Sequence, residues 1–335
     1  MRKINGVPVE ASTDLSSLTG GEVLKWDATN TMMAWEDQDA TGYVPWSFAG
    51  SNYGFTAGGT DSPERTDTID RFAFASNTTA TDWGNLVGGN ATHSGQSSTT
   101  DGFTAGGFTS SAQNRVEKFS FSSSSGASDH GDLTQARGWL TGHGEPETYG
   151  YASGGQNGSG TRYDVIDKFA FSSNTTASDH GDLSLSKDRP IGQSSSDSGF
   201  SSGGHTGSYI SSIDKFAFSS NVTASSHGDL NLSKRFAAGQ SSSTHGFTSG
   251  GRTSSANNIN DIDKFAFASN TTASDHGDLS VARDNAAGQS QTDYGFTSGG
   301  NGGYTIDRFA YSSNSTATDW GDLSLYRGQS AGHQY

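Results

Sequence analysis

The feature that most constrains this chain is a unit of about 48 residues that recurs six times. A segment Gly-aromatic-x-x-Gly-Gly opens at Gly54, Gly102, Gly150, Gly199, Gly246 and Gly295, with successive spacings of 48, 48, 49, 47 and 49. Each is followed by a block of the type Ile-Asp-Lys-Phe-Ala-Phe, starting at Ile69, Val116, Ile166, Ile213, Ile262 and Ile306. A third block, typified by ASDHGDL, starts at Ala80, Ala127, Ala177, Ala224, Ala273 and Ala317. Self-similarity at this period signals small units that bury their apolar faces against one another.

Each block reads as a strand or the end of one. In Phe-Ala-Phe the rings alternate with a small residue, so Phe72 and Phe74 share one face and Ala73 lies on the other. The pairs Phe119/Phe121, Phe169/Phe171, Phe216/Phe218, Phe265/Phe267 and Phe309/Tyr311 repeat the pattern. A buried ring contributes roughly 1.5–3 kcal/mol, so twelve of them offset a shortage of aliphatic residues. That shortage is real: hydrophobic residues make up 30% of the chain and glycine fills 46 positions. Such a composition excludes a helical bundle and would suit disorder, but 36 aromatic residues supply a core. The Gly-Gly pairs end strands where the backbone must turn, and the SSNTTASD-type stretches read as polar hairpin connections. Four short strands per period is the arithmetic of one propeller blade.

Charge and cysteine content narrow the function. With 20 basic against 35 acidic residues the formal net charge is −15, which argues against a nucleic-acid partner. There is no cysteine, so disulfides and thiolate metal sites are excluded. The opening residues MRKINGVPVEASTD lack the apolar run of a secretory signal and no later stretch is long and apolar enough to span a bilayer, so no membrane insertion is expected.

The unit resembles a kelch repeat: a strand, a strand ending in Gly-Gly, an aromatic strand and a Trp-bearing strand. The kelch tryptophan maps to Trp83 and Trp320, while His130, His180, His227 and His276 hold the same column. A basic residue recurs before the next unit at Arg137, Lys187, Lys234, Arg283 and Arg327. The resemblance covers residues 46–335 and implies an all-β, six-bladed kelch-like β-propeller. Six blades need six first strands, and seven segments compete for the place. RGQSAGHQY at the C-terminus matches internal segments such as AAGQSSSTH better than WSFAGSNY does. The C-terminal strand is therefore expected to enter blade one and close the ring, leaving the Trp46 segment as lead-in.

Residues 1–45 stand outside the repeat. Val23, Leu24, Trp26, Met33 and Trp35 flank a polar turn at residues 27–30 and read as a β-hairpin with one apolar face. A lone hairpin is marginal in water, so this one is expected to pack on something else. The motif Gly-x-Val-Leu-x-Trp-Asp with a second Trp downstream resembles short segments of bacteriophage tail-fibre and other virion proteins. The SNTTASDHGDLS-type repeats resemble kelch-like structural proteins of marine phages, particularly cyanophages. These resemblances imply a virion location, docking on other virion proteins through residues 1–45, and a homotrimer as the usual tail-fibre assembly.

No catalytic constellation stands out from the repeat, and no cofactor is implied. The histidine column is not read as a metal site, because a ligand position would not accept the indoles of Trp83 and Trp320. The neighbouring Asp82, Asp129, Asp179, Asp275 and Asp319 read as turn formers rather than calcium ligands. Asn77, Asn174, Asn221, Asn270 and Asn314, each in an Asn-x-Ser/Thr triplet, read as hairpin residues rather than glycosylation sites. What varies between units is the loop after Gly-Gly, the layout of a binding platform. Tyr163, Tyr209 and Tyr304 there offer flat faces for sugars, and Arg115, Arg162 and Arg252 offer donors. The expected function is a tail or head fibre whose loops meet a host-surface glycan or protein. The alternative is a non-adhesive virion component, such as a capsid decoration or baseplate protein, and an enzyme of the glycan lyase or sialidase kind ranks below both.

Overall fold

Strand-forming blocks separated by glycine and Ser/Asn turns pair locally into antiparallel meanders. The computed structural model describes residues 50–334, apart from 51, 62, 146, 256 and 302, together with the backbone of four short strands before them. Among the described residues there is no helix, and six four-stranded antiparallel sheets form the blades of a β-propeller. Blade two is typical: Ser94–Ser97 is innermost, followed by Asp101–Ala105, Arg115–Ser120 and Ser128–Asp132. In blade one the innermost strand is the C-terminal Ala331–Gln334, paired antiparallel with Tyr53–Ala57. Each innermost strand adjoins those of both neighbouring blades, and the sixth returns to the first.

The chain divides into two units, Met1–Trp46 and Ser47–Tyr335. In the first, Arg2–Ile4 pairs with Val7–Val9 and Glu22–Asp27 pairs with Met32–Asp37, both antiparallel. The second ladder sets Leu24 opposite Trp35 and Trp26 opposite Met33. The turn at 28–30 and the Trp46 lead-in up to residue 49 lie outside the described residues.

The cores lie between blades. The second-strand ring of each blade packs on the Phe-x-Phe pair of the next: Phe55 on Phe119 and Phe121, Phe103 on Phe169 and Phe171, and so on to Phe296 on Phe72 and Phe74. At all six interfaces the second ring of the pair stacks on its partner, with centroids 4.5–4.8 Å apart. The conserved spacing of the glycine before the second-strand aromatic follows from this packing. A Cβ at Gly102 would lie 2.3 Å from the ring of Phe119 in its own blade, and the equivalent contact recurs in every blade.

Polar groups repeat the same circuit. Imidazole and indole exchange freely in the Trp/His column because both present an N–H at one point. Trp83 Nε1 donates to the Ser120 carbonyl of the next blade at 2.9 Å, as His130 Nε2 does to Ala170. Asn174 Nδ2 reaches back to the Asp129 carbonyl, and Asn77, Asn221, Asn270 and Asn314 do likewise. At every third-to-fourth-strand ladder the register slips beside the acidic residue. The recurrent basic residue meets that carboxylate in a buried pair, as in Arg137–Asp167 at 2.8 Å and Arg327–Asp70 at 2.8 Å. The carboxylate also accepts from the residue leaving the previous blade, Thr134 Oγ1 at 2.7 Å from Asp167. In blade three Arg137 also donates to the Gly154 and Ala152 carbonyls, at 2.8 and 3.1 Å, and such added bonds are the condition under which buried charge is tolerated.

At the axis the innermost strands approach through glycine. A Cβ on Gly239 would lie 2.1 Å from the Gly192 carbonyl oxygen, and Gly95, Gly142, Gly192, Gly288 and Gly332 complete a ring of equivalent contacts. One residue further, Gln96, Gln193, Gln240 and Gln289 donate through Nε2 to a second-strand carbonyl of the next blade, at 2.9–3.0 Å. His143 and His333 take the same column and donate through Nδ1 at 3.1 Å.

Two outcomes follow. Gly239→Ala is expected to lower stability by about 1–3 kcal/mol or prevent closure, whereas Gly88→Ala, with nothing within 4 Å of the new methyl, leaves Tm unchanged. Burial holds His93 down to about 3 and His143 and His333 down to about 4, against an ordinary 6.5. As pH falls below 6.5 the unfolded chain takes up protons that the folded chain refuses until about pH 4, so stability falls across that window. The double substitution His143→Gln and His333→Gln, which restores the majority residue of the column, flattens the slope of Tm against pH there.

Candidate functional site

An antiparallel meander places the connection between second and third strands on the same end of the propeller as the crossing to the next blade. Six bridges join the two, among them Gly138 to Gln156, Asp188 to His205 and Arg235 to Arg252. The other end carries the remaining hairpins, built from near-identical Ser, Thr and Asn runs in most blades. One end of the ring is thus chemically uniform, and the other differs from blade to blade.

At the varied end the axial cavity opens through a collar of one residue per blade: Thr92, Trp139, Arg189, Phe236, Asn285 and Gln329. All six hold a left-handed backbone, with φ between 51° and 61°. Such φ values are uncommon for residues other than glycine and cost energy that the surroundings must offset. Here the offset is a chain of backbone hydrogen bonds over five of the six steps between collar residues. Trp139 N–H donates to the Thr92 carbonyl, Arg189 to Trp139, Asn285 to Phe236, Gln329 to Asn285 and Thr92 to Gln329, all at 2.7–2.8 Å. Below the collar His93, Leu140, Pro190, Ala237, Ala286 and Ser330 narrow the opening, and a cavity of about 150 Å³ runs on to the glycine ring. No charged side chain lines that inner cavity.

Half of the collar is aromatic and cationic. The Arg189 guanidinium lies 4.3 Å from the Trp139 ring and 4.9 Å from Phe236. Arg235 lies 4.8 Å from Phe236 on one side and 4.5 Å from Tyr209 on the other. Phe108 packs on Trp139 at 4.7 Å, and His205 meets the edge of Tyr209 at 5.6 Å. The result is an alternating stack that runs from the loop of blade two to the loop of blade four. Buried Asp188 pairs with Arg189 and, at 2.6 Å, with Arg162. Arg235 has no carboxylate partner among the described residues. Burial, then the neighbouring Arg235 and Arg162, bring Arg189 down to about 10. Burial and the three arginines hold His205 down to about 4, so this half of the mouth is a region of positive potential.

Of the residues singled out from sequence, Arg162, Tyr209 and Arg252 lie in the loops around this mouth. Arg252 pairs with Asp284 at 3.5 Å. Tyr163 accepts a hydrogen bond from Asn157 Nδ2 at 3.2 Å within its own loop. Tyr304, 47% exposed, packs its edge on Tyr326 in blade six, outside the stack. Arg115 begins the third strand of blade two and donates through Nε to Glu117 at 2.7 Å. For the hairpin residues Val23, Leu24, Trp26, Met33 and Trp35 the description extends to backbone pairing. Trp139, Arg189, Arg235 and Phe236 were not anticipated. Their signal lay in the crossing segment, where RGWL, KDRP and KRFA differ while the flanking positions repeat.

Comparison with protein-family models and with curated proteins found no match to this chain.

Blade two rearranges the buried charge. Asn90 stands in the basic column and donates to the Gly106 carbonyl at 2.9 Å, Glu117 replaces the aspartate, and Arg115 provides the cation. Arg115→Ala therefore leaves a buried carboxylate without its cation and is expected to cost about 1–3 kcal/mol. Thermal melts are expected to show a clear loss for that variant and none for Arg65→Ala on the exposed loop of blade one.

Proposed function

We propose that this protein is a non-enzymatic component of a bacteriophage particle, a tail or head fibre whose propeller binds the host surface. Its hairpin segment docks on other virion proteins, in a trimer of the tail-fibre kind. The particle assignment rests on the resemblance of the N-terminal motif and the repeats to virion proteins. The adhesive role rests on one observation: sequence variation is concentrated at one end of an otherwise six-fold repeated frame. A frame that repeats its core contacts blade by blade has no structural need for six different residues in its collar. Side chains that differ at equivalent, strained positions around an opening are the arrangement of a recognition surface. The host-facing end in this reading is the collar end.

A second reading, a non-adhesive decoration or baseplate protein, draws on a different feature of the same end. Leu185, Leu232, Val281 and Leu325 occupy one column in four consecutive crossings and are 38–52% exposed. A repeated exposed aliphatic residue suits a protein neighbour better than a sugar.

The readings separate experimentally. In the adhesive case, immunogold labelling of purified particles marks the tail or projecting fibres, and the purified full-length protein binds host cells and blocks adsorption. Substituting collar residues lowers cell binding, without changing Tm at positions such as Asn285 that hold no buried carboxylate, and substituting Thr and Asn in the hairpins of the uniform end has no effect. Gold over the capsid with no cell binding selects the decoration role, and unlabelled particles refute the virion assignment.

A further inference from the structure

We infer that the aromatic-cationic half of the collar is a subsite for a saccharide bearing a carboxylate, held by Arg189 and Arg235 and oriented by the polar half of the same ring. This deepens the adhesive reading above and rests on it.

The stack decides which part of each guanidinium is free to act. Arg189 lies between Trp139 and Phe236, and Arg235 between Phe236 and Tyr209. With a ring on either side each guanidinium is held in place; Arg189 Nη1 is engaged by Asp188, whereas Arg235 has no carboxylate partner among the described residues. A plate of coplanar N–H donors matches the two oxygens of a carboxylate, and ordering by stacking reduces the entropy lost on binding.

Charge points the same way. Around the mouth Arg162, Arg189, Arg235 and Arg252 face the carboxylates of Asp188 and Asp284, two for four cations. The surplus sits at the opening of a ring in a chain of formal net charge −15. Arg162 and Arg189 share Asp188, Arg252 pairs with Asp284, and Arg235 is left without an anion among the described residues. His205 adds no positive charge at neutral pH, because its proton affinity is already depressed beside these arginines.

The other half of the collar specifies what else the ligand carries. Thr92, Asn285 and Gln329 are neutral donors and acceptors, and Gln329 Oε1 accepts from Thr60 Oγ1 at 3.3 Å. The floor beneath the collar is mostly apolar, with Leu140, Pro190, Ala237 and Ala286, and carries His93 and Ser330 on the polar side. An anionic group on one edge, hydroxyls on the opposite edge and an apolar face toward the floor together describe an acidic sugar ring. An acidic peptide would use the arginines but has no requirement for the amide-hydroxyl half.

The test titrates the full-length protein by calorimetry with four probes: an oligogalacturonate, its carboxyl-reduced neutral counterpart, a sulfated oligosaccharide and a polyglutamate of matched charge. The oligogalacturonate is expected to bind at least about tenfold more tightly than the neutral counterpart and the polyglutamate, and to weaken as salt rises. Preference for the sulfated probe would transfer the assignment from carboxylate to sulfate and overturn the carboxylate claim. Arg235→Ala, which removes no ion pair, should lower the affinity by roughly tenfold with Tm unchanged, and Arg235→Lys should recover only part of it. Lys168→Ala on the blade wall serves as the control and should match the unsubstituted protein. Equal binding of acidic and neutral probes, equal binding of polyglutamate, or an unaffected Arg235→Ala variant would overturn the inference. Host-cell binding measured in parallel separates the two levels. Cells bound equally by Arg235→Ala and not released by oligogalacturonate refute the subsite and leave the adhesive reading standing. Absence of cell binding by the unsubstituted protein refutes the adhesive reading, while the titration still decides the subsite.

Discussion

Six strands can meet around one axis only if their backbones come within van der Waals distance, and here that approach is made by glycine. Each innermost glycine lies against a glycine carbonyl of a neighbouring blade so closely that one methyl group would collide. Everything outward is spaced by that contact. The Gln/His column one residue further reaches the next blade because the strands are this close, and the aromatic interfaces stack at nearly constant distance around the ring. A propeller poor in aliphatic residues is thus stabilised by rings between blades and by buried polar groups, many of which bond to the neighbouring blade.

Redundancy of this kind permits local strain. The collar residues adopt a backbone that glycine would take with less cost, yet none of them is glycine. Hydrogen bonds that run from blade to blade around the opening hold the conformation independently of side-chain identity. Most side chains there are not needed to hold that conformation, although Arg189 also pairs with buried Asp188. Thr92, Trp139, Arg189, Phe236, Asn285 and Gln329 have little in common beyond their position, and it is this freedom that makes the opening the chemically distinctive part of the molecule.

Blade two shows how far the buried polar frame bends without breaking. The cation there comes from the third strand instead of the crossing segment, and a longer acid meets it. The charge balance of the interior is kept while its connectivity changes. In sequence Arg115 is indistinguishable from a loop donor, because it sits at the end of the variable stretch after Gly-Gly. Only the pairing with Glu117 shows what the side chain touches.

The linear sequence determined the number of blades, the four-strand unit and the aromatic positions, because each depends on short-range periodicity: two residues within a strand and about 48 between units. Gly102 before Phe103, and Phe119 alternating with Phe121, are legible for that reason. The Trp/His column was legible as a column, but its use of a shared N–H was not, since the acceptor lies in the next blade. Tyr209, Arg162 and Arg252 could be placed in variable loops, whereas Trp139, Arg189, Phe236 and Arg235 could not be seen as neighbours. Apart from the adjacent Arg235 and Phe236, they are separated by about fifty residues from blade to blade, and only closure of the ring brings them side by side. Which rings sandwich which guanidinium, and where positive charge collects on an acidic chain, are properties of that closure, because electrostatic and stacking interactions depend on distance in space and not along the chain.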